Sequence, residues 1–264
     1  MPQTVAELAD AVLAGEYGPA PADQVVTSAF WLHNTTRLAG GDVTYRNHYF
    51  LLRLGAAFGA CAFEEGQLGP DFCAAASGVP VDALIKDDRL PVRIAALDAY
   101  LATTTPHGGE RVELPAGTPL VRAQARDAAV AGLLDISPGA KVGLIGVVNP
   151  LVAAIEERGG VCLPCDLNLR TTQWGQPVTT DMHEVLDAAD AVVATGMTLS
   201  NGSFDTILRR CRERAVPLVV YAQTGSAVAR AFLGAGVTAL SAEPFPFSQF
   251  SAEPTVLHRY RTTT

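Results

Sequence analysis

From Lys141 onward, short runs of consecutive apolar residues alternate with stretches whose apolar positions recur every three to four residues. The runs near 142–147, 161–166, 191–195, 217–222 and 237–241 are too short for helices and read as buried strands. The intervening periodic stretches near 150–158, 181–188, 203–214 and 226–234 read as helices. Such short connections between parallel strands imply right-handed crossovers and a sheet covered on both faces. The best-marked unit is Val142-Gly-Leu-Ile-Gly-Val-Val-Asn-Pro150 followed by Val161-Cys-Leu-Pro-Cys-Asp166. It predicts strand, glycine turn, helix, and a second strand ending on a carboxylate, a unit suited to holding nucleotide-like ligands.

The first hundred residues follow a different pattern. Thr4 to Gly15 has an N-cap Thr, a Glu three positions on and a terminal Gly, which predicts a short amphipathic helix. Val25–His33, Thr35–Leu38 and Val43–Leu52, with the turn Gly40-Gly41-Asp42, predict a hairpin, and Gly59–Phe63 a third strand. Helices are expected at about 70–77 and 91–103. Thr103 to Gly109 is polar and aperiodic, and reads as a linker. Leu120 to Leu134 resumes helical spacing beyond it. The expected class is therefore α/β: a small α+β unit of meander plus helices over 1–105, then a Rossmann-like parallel sheet over 106–264.

Composition narrows the function. The 264 residues are 48% hydrophobic and 17% charged, and Gly, Pro or Arg breaks every apolar run well before the ~18 residues a membrane span requires. The start, Met-Pro-Gln-Thr-Val-Ala-Glu, lacks the cationic and apolar regions of a secretory signal, and the 5 cysteines show no disulfide framework. A cytoplasmic protein is expected. A net charge of −8 without a basic stripe argues against nucleic acid. The expected partners are a small-molecule ligand and copies of the same chain, a dimer in the simplest case.

Ligands of parallel sheets bind beyond the carboxyl ends of the strands. Gly146 supplies the turn after the first parallel strand. Asn149-Pro150 stands where a dinucleotide site would carry its last glycine, which disfavours NAD. Asp166 can accept from ribose hydroxyls. The third parallel strand runs through Thr195 into Gly196-Met-Thr-Leu-Ser-Asn-Gly-Ser203, where Thr198, Ser200 and Asn201 could hold the polar end of a ligand or serve as ordinary caps and turns. Glu243 reads as a solvated loop charge more readily than as a base. Cys162-Leu-Pro-Cys165 has metal-like spacing, but residues three apart on a strand point to opposite faces, so no shared metal is expected. The first-unit hairpin carries His33, Asn34, Tyr45, Arg46, Asn47 and His48, either as a solvent face or as a lid over the strand ends. Tyr45 and His48 are the candidate catalytic groups.

Three segments carry a family resemblance: Leu90-Pro-Val-Arg-Ile-Ala-Ala-Leu-Asp-Ala-Tyr100, Val142-Gly-Leu-Ile-Gly146, and Ala189-Asp-Ala-Val-Val-Ala-Thr-Gly-Met-Thr-Leu-Ser-Asn-Gly-Ser203. With these the chain resembles the family described as "putative heavy-metal chelation", which implies an enolase-N-terminus-like first domain and a Rossmann-like second. It departs from that family in having Tyr221-Ala-Gln-Thr-Gly225 where a Gly-Pro-Ser-Thr type of turn is usual. Two functions remain. One is an enzyme using S-adenosylmethionine or a related adenosine compound, with Asp166 on the ribose, Thr198, Ser200 and Asn201 on the polar end, and Tyr45 or His48 as base. The other is a metal or metal-chelate binding protein drawing on His33, His48, His183, Cys165 and Asp166.

Overall fold

The computed structural model describes residues 1–37, 44–106 and 108–262. The strands are β1 (Val26–Arg37), β2 (Thr44–Leu54), β3 (Ala57–Phe63), β4 (Glu110–Leu114), β5 (Lys141–Ile145), β6 (Val161–Cys165), β7 (Ala191–Thr195), β8 (Leu218–Ala222), β9 (Ala239–Ala242) and β10 (Thr255–Arg261). The helices are α1 (Val5–Leu13), α2 (Phe72–Ala76), α3 (Val81–Ile85), α4 (Leu90–Thr104), α5 (Pro119–Ala131), α6 (Asn149–Glu157), α7 (Met182–Ala188), α8 (Met197–Ser200), α9 (Phe204–Arg214) and α10 (Ser226–Arg230). None of them is long and apolar enough to cross a membrane.

The expected α/β class is what the structure shows. β1, β2 and β3 form an antiparallel sheet, and the other strands form a second sheet in the order β4-β10-β9-β8-β7-β5-β6. The five predicted strands β5 to β9 are its parallel part. Counted in chain order, these five run 2-1-3-4-5 across the sheet, so the direction of winding reverses between β5 and β7. That switch point opens a crevice at the carboxyl edge. β10 and β4 add an antiparallel edge that apolar periodicity did not reveal, because β4 is mostly exposed Glu and Arg and β10 mixes His and Arg with its apolar positions. The predicted turn at residues 40–42 lies outside the described residues.

The two sheets share a core. One continuous cluster of buried side chains includes Leu8, Phe50 and Leu97 of the first unit and Val192, Phe204 and Val228 of the second. Helix α4 lies at its centre, with Val92, Ile94 to Ala96, and Tyr100 all buried. It approaches β3 closely enough that a Cβ on Gly59 would overlap the backbone of Ala99. Asp98 is 3% exposed on the same helix. Its Oδ2 accepts from the N–H of Ala60 in β3 at 2.9 Å, and its Oδ1 from the N–H of Ala227 in α10 at 2.7 Å. One carboxyl thus joins the antiparallel sheet, its covering helix and the parallel-sheet unit.

Burial pushes the Asp98 pKa up to about 6, against the pull of its backbone donors. Since the folded value exceeds the ordinary one near ~4, the stabilisation linked to its protonation is complete below that pH and lost as pH rises through about 6. Asp98→Asn must present an NH2 to one of the two N–H donors, and is expected to lower stability by about 1–3 kcal/mol in urea unfolding. Because the variant does not titrate there, its deficit relative to the parent should be larger at pH ~4 than at pH ~7.

Candidate functional site

A cavity of about 620 Å3 lies between the hairpin and the carboxyl edge of the parallel sheet. Gly146, Val147, Thr195 and Gly196 border it from either side of the β5/β7 switch point. Gly146 has φ +90°, and a Cβ there would overlap the Thr195 hydroxyl. The turn therefore requires glycine twice over, for its backbone and for its closeness to the neighbouring strand.

Asp166 borders the same cavity, and its carboxylate is largely engaged. Oδ2 accepts from Val147 N–H at 2.9 Å, while Oδ1 accepts from Asn168 at 2.8 Å and Leu169 at 3.0 Å. It holds the turn after β5 against the loop after β6. Of the roughly four lone-pair positions of a carboxylate, about one remains for a ligand.

The hairpin forms the roof. Helix α6 begins at Val148, which supplies no side-chain cap. In its place Tyr45 Oη accepts from the N–H of Asn149 at 3.3 Å and from its Nδ2 at 2.8 Å. Asn149 is fully buried, and its Oδ1 accepts from Gln173 N–H at 2.9 Å. Asn149 is thus a clasp between hairpin, helix and loop. The burial of Tyr45 raises its phenol pKa, the two Asn149 bonds opposing. At neutral pH Tyr45 keeps its proton and is a donor, so it is not poised as a base.

Strand alternation sends Tyr45 and His48 to opposite faces. Tyr45 pairs with Thr36, and His48 with His33. His48 borders the cavity, but its ring stacks among Trp31, His33 and Phe63, with the two imidazole centroids 4.4 Å apart. Thr198, Ser200 and Asn201 do not line the cleft. Thr198 Oγ1 donates to Thr195 O at 2.7 Å and Ser200 Oγ to Met197 O at 2.9 Å, as hydroxyls in a tight helical turn do. Asn201 Oδ1 accepts from the Ser203 N–H at 3.0 Å. Of the residues singled out from the sequence, the structure therefore brings Tyr45, His48, Gly146, Asp166, Thr195 and Gly196 to one cavity, with Asn149 behind its wall.

Other groups there were missed. Arg126 of α5 is 8% exposed and borders the cavity. Its Nε donates to Asp127 Oδ1 at 2.8 Å and its Nη2 to Oδ2 at 3.4 Å. Its guanidinium lies 5.4 Å from the centroid of the Tyr221 ring at the end of β8. Burial opposes the Arg126 charge, but Asp127, Tyr221 and Glu243 outweigh it and hold the group protonated. The signal was present in the sequence: the buried stripe of α5 continues backward from Val130 onto Asp127, Arg126, Ala123 and Arg122. Glu243 is not the solvated charge expected of it. It is buried, accepting from Gln223 Nε2 at 2.7 Å and from the Ser248 N–H.

A second hollow, of about 680 Å3, lies where Leu54, Phe58, Phe245 and Phe247 face α4. Its carboxylates, Asp98 and Glu243, are already bonded within the protein. It offers a ligand mainly apolar surface.

Direct metal ligation does not fit the donor set. Among the described residues no group of three or more His, Cys, Asp or Glu is placed to hold an ion. His183 is exposed on α7, and Cys165 belongs to the core on one side of the sheet while Cys162 belongs to the core on the other. Both cysteines are free, and burial pushes their thiols up to about 12 for Cys162 and about 11 for Cys165.

Residues 129–242 match the DUF364 family model, described as putative heavy-metal chelation. The resemblance read from the sequence holds over that stretch, which includes the Gly146 turn, Asp166 and the end of β7. Solved DUF364 structures share the fold along the whole chain. One is a protein of unknown function from Desulfitobacterium hafniense DCB-2, 16% identical, TM-score 0.63, covering 97% of this chain and 98% of its own. Another, of unknown function from Pyrococcus horikoshii, is 13% identical, TM-score 0.55, covering 98% and 99%. No curated protein matches.

Two outcomes test this geometry. Tyr45→Phe removes the acceptor of a buried amide and is expected to lower stability by about 1–3 kcal/mol in chemical denaturation. Cys162 and Cys165 should stay unreactive toward a thiol reagent at pH ~8 in the folded protein and react once it is unfolded.

Proposed function

We propose that the cleft binds an adenosine-bearing small molecule, S-adenosylmethionine first among them, and that the chain is an enzyme acting on it by cyclisation, elimination or group transfer. The observation that supports this reading is the convergence of the Gly146 turn, Asp166 and Thr195 at the switch point of a parallel sheet, roofed by Tyr45, around about 620 Å3. The volume is that of pockets which enclose small organic ligands, ~300–1,000 Å3. In this reading the free lone pair of Asp166 receives a ribose hydroxyl and Gly146 admits the ligand to the backbone.

A sulfonium carbon–sulfur bond breaks with its electron pair going to sulfur, which leaves as a neutral thioether and needs no proton donor. The proton that elimination or cyclisation releases goes to a base, for which His48 at the cavity is the candidate, and the rest of the protein's task is orientation and exclusion of water. Tyr45, its lone pairs occupied by Asn149, turns its proton toward the ligand. A second reading, binding of a metal already held by a small chelator, follows the family's description and is compatible with a site that ligates no metal itself.

Calorimetric titration and thermal-shift measurement with S-adenosylmethionine, adenosine and 5′-methylthioadenosine decide between them. A ligand at a hundred times its Kd should stabilise the fold by about 2.7 kcal/mol. Asp166→Ala should weaken adenosine binding roughly ten- to a hundredfold. It should also lower stability by about 1–3 kcal/mol, because backbone donors lose their acceptor. Failure of all three compounds to bind the folded parent ends this reading, and stoichiometric metal released together with a small chelator replaces it with the second.

A further inference from the structure

The wall of the cleft formed by α5 and the ends of β7 and β8 is supplied with donors, while Glu64 and Glu65 border the cavity from the loop after β3. Arg122 and Arg126 lie one turn apart on α5 and are both buried, yet their surroundings differ. Arg122 has four of its five N–H groups engaged: it donates to the carbonyls of Ser248, Pro115 and Glu253 and to Thr255 Oγ1. Arg126 uses only the edge that faces Asp127, and its Nη1 has no acceptor among the described residues. Two hydroxyls bordering the same cavity, Thr195 Oγ1 and Ser248 Oγ, are buried and have no hydrogen-bond partner among the described residues. Tyr45 and Tyr49 accept bonds from Asn149 and from Gln249 Nε2, and their own protons have no acceptor among the described residues. Thr195 and Tyr221 are register partners at the ends of β7 and β8, and Arg126 lies beside the Tyr221 ring. Arg126, Tyr221 and Thr195 thus adjoin along one wall of the cavity, which Ser248 also borders.

Three carboxylates of this region cannot satisfy them. Asp127 accepts from Arg126, Glu243 from Gln223 and Ser248, and Asp166 from the backbone. A buried donor without a partner is costly, and a native structure keeps one for a reason. Unpartnered hydroxyls bordering the same cavity as a pinned guanidinium match one ligand chemistry, a planar oxyanion with several lone pairs.

We infer that Arg126, with Thr195 and Ser248, forms a recess that binds a free carboxylate of the ligand, so that the substrates of this cleft are small carboxylic acids. This deepens the proposed function and rests on it for the location of the cleft, while the adenosine end is a separate matter. The recess also takes over the role that the sequence suggested for Thr198, Ser200 and Asn201. If the ligand is S-adenosylmethionine, the recess holds its amino-acid end.

The test compares ligands that differ only in the acid. Parent protein, Arg126→Lys and Thr195→Val are titrated with L-methionine and L-methioninamide, and with S-adenosylmethionine and 5′-methylthioadenosine. Arg126→Lys retains the charge beside Asp127 but lacks the planar fork. Thr195→Val replaces an unpartnered hydroxyl by an isostere, so its melting temperature should equal or exceed that of the parent. The parent is expected to bind methionine at least tenfold more tightly than its amide. Arg126→Lys should reduce that ratio at least fivefold and Thr195→Val at least threefold, with affinity for 5′-methylthioadenosine unchanged in Arg126→Lys. Equal binding of acid and amide by the parent overturns the recess, as does an undiminished ratio in a folded Thr195→Val. Binding of methionine over its amide without binding of 5′-methylthioadenosine upholds the recess and ends the adenosine reading. Binding of 5′-methylthioadenosine with no preference for the acid does the reverse.

Discussion

The structure depends on one buried carboxyl. Asp98 stands on the helix that both units cover, and it receives hydrogen bonds from a strand of one and a helix of the other. Neither N–H could remain buried without an acceptor, so the two units can be sealed together only in the arrangement that brings both donors to this side chain. The close approach of Gly59 to the same helix excludes any side chain from the joint. The hairpin is thereby held at a fixed height over the parallel sheet. The cleft is the space left between them.

That constraint explains why the clasp at Asn149 can be so economical. A helix start with Val148 at its cap has unsatisfied N–H groups, and normally a Ser, Thr or Asp just before it would provide an acceptor. Here the acceptor is a tyrosine a hundred residues away, which serves only because the core has already placed it there. The same bonds occupy the phenol oxygen, so the residue that closes the cleft is also given a single direction for its proton. Fold and site chemistry are coupled through these two amide–phenol contacts.

How far the sequence revealed this depended on the range of the interactions. The parallel strands were legible because burial on both faces makes them continuous apolar runs, and the divergence of Cys162 and Cys165 followed from the period of a strand alone. Gly146 was legible as a turn, although its second reason, the nearness of Thr195, is a contact between neighbouring strands far apart in the sequence. Thr198, Ser200 and Asn201 misled because a short helical turn satisfies hydroxyls locally as readily as a ligand does. β4 and β10 were not legible, since β4 is a mostly exposed edge strand of Glu and Arg and β10 mixes His, Arg and Tyr with its apolar positions, so neither carries a distinctive period. Arg126 was visible as a charge on a buried stripe, but its meaning depends on Tyr221, Thr195 and Ser248, which only the fold brings near.

Taken as two opposite charges, the Arg126–Asp127 pair would cancel itself and leave nothing for an anion. Two considerations oppose this. Asp127 occupies one edge of the guanidinium and fixes its plane, so the remaining N–H groups are oriented before a ligand arrives and little further ordering is needed. Burial meanwhile raises the Asp127 pKa, with Arg126 opposing. An entering carboxylate competes with Asp127 for the same cation and raises its pKa further, so proton uptake by Asp127 can accompany binding and keep the pocket's net charge near neutral. A bare arginine in that position would pull strongly on any anion but would be costly to bury in the free protein. The pair, flanked by unpartnered hydroxyls, accepts a weaker attraction in return for a cation that stays buried, charged and aligned in the absence of ligand.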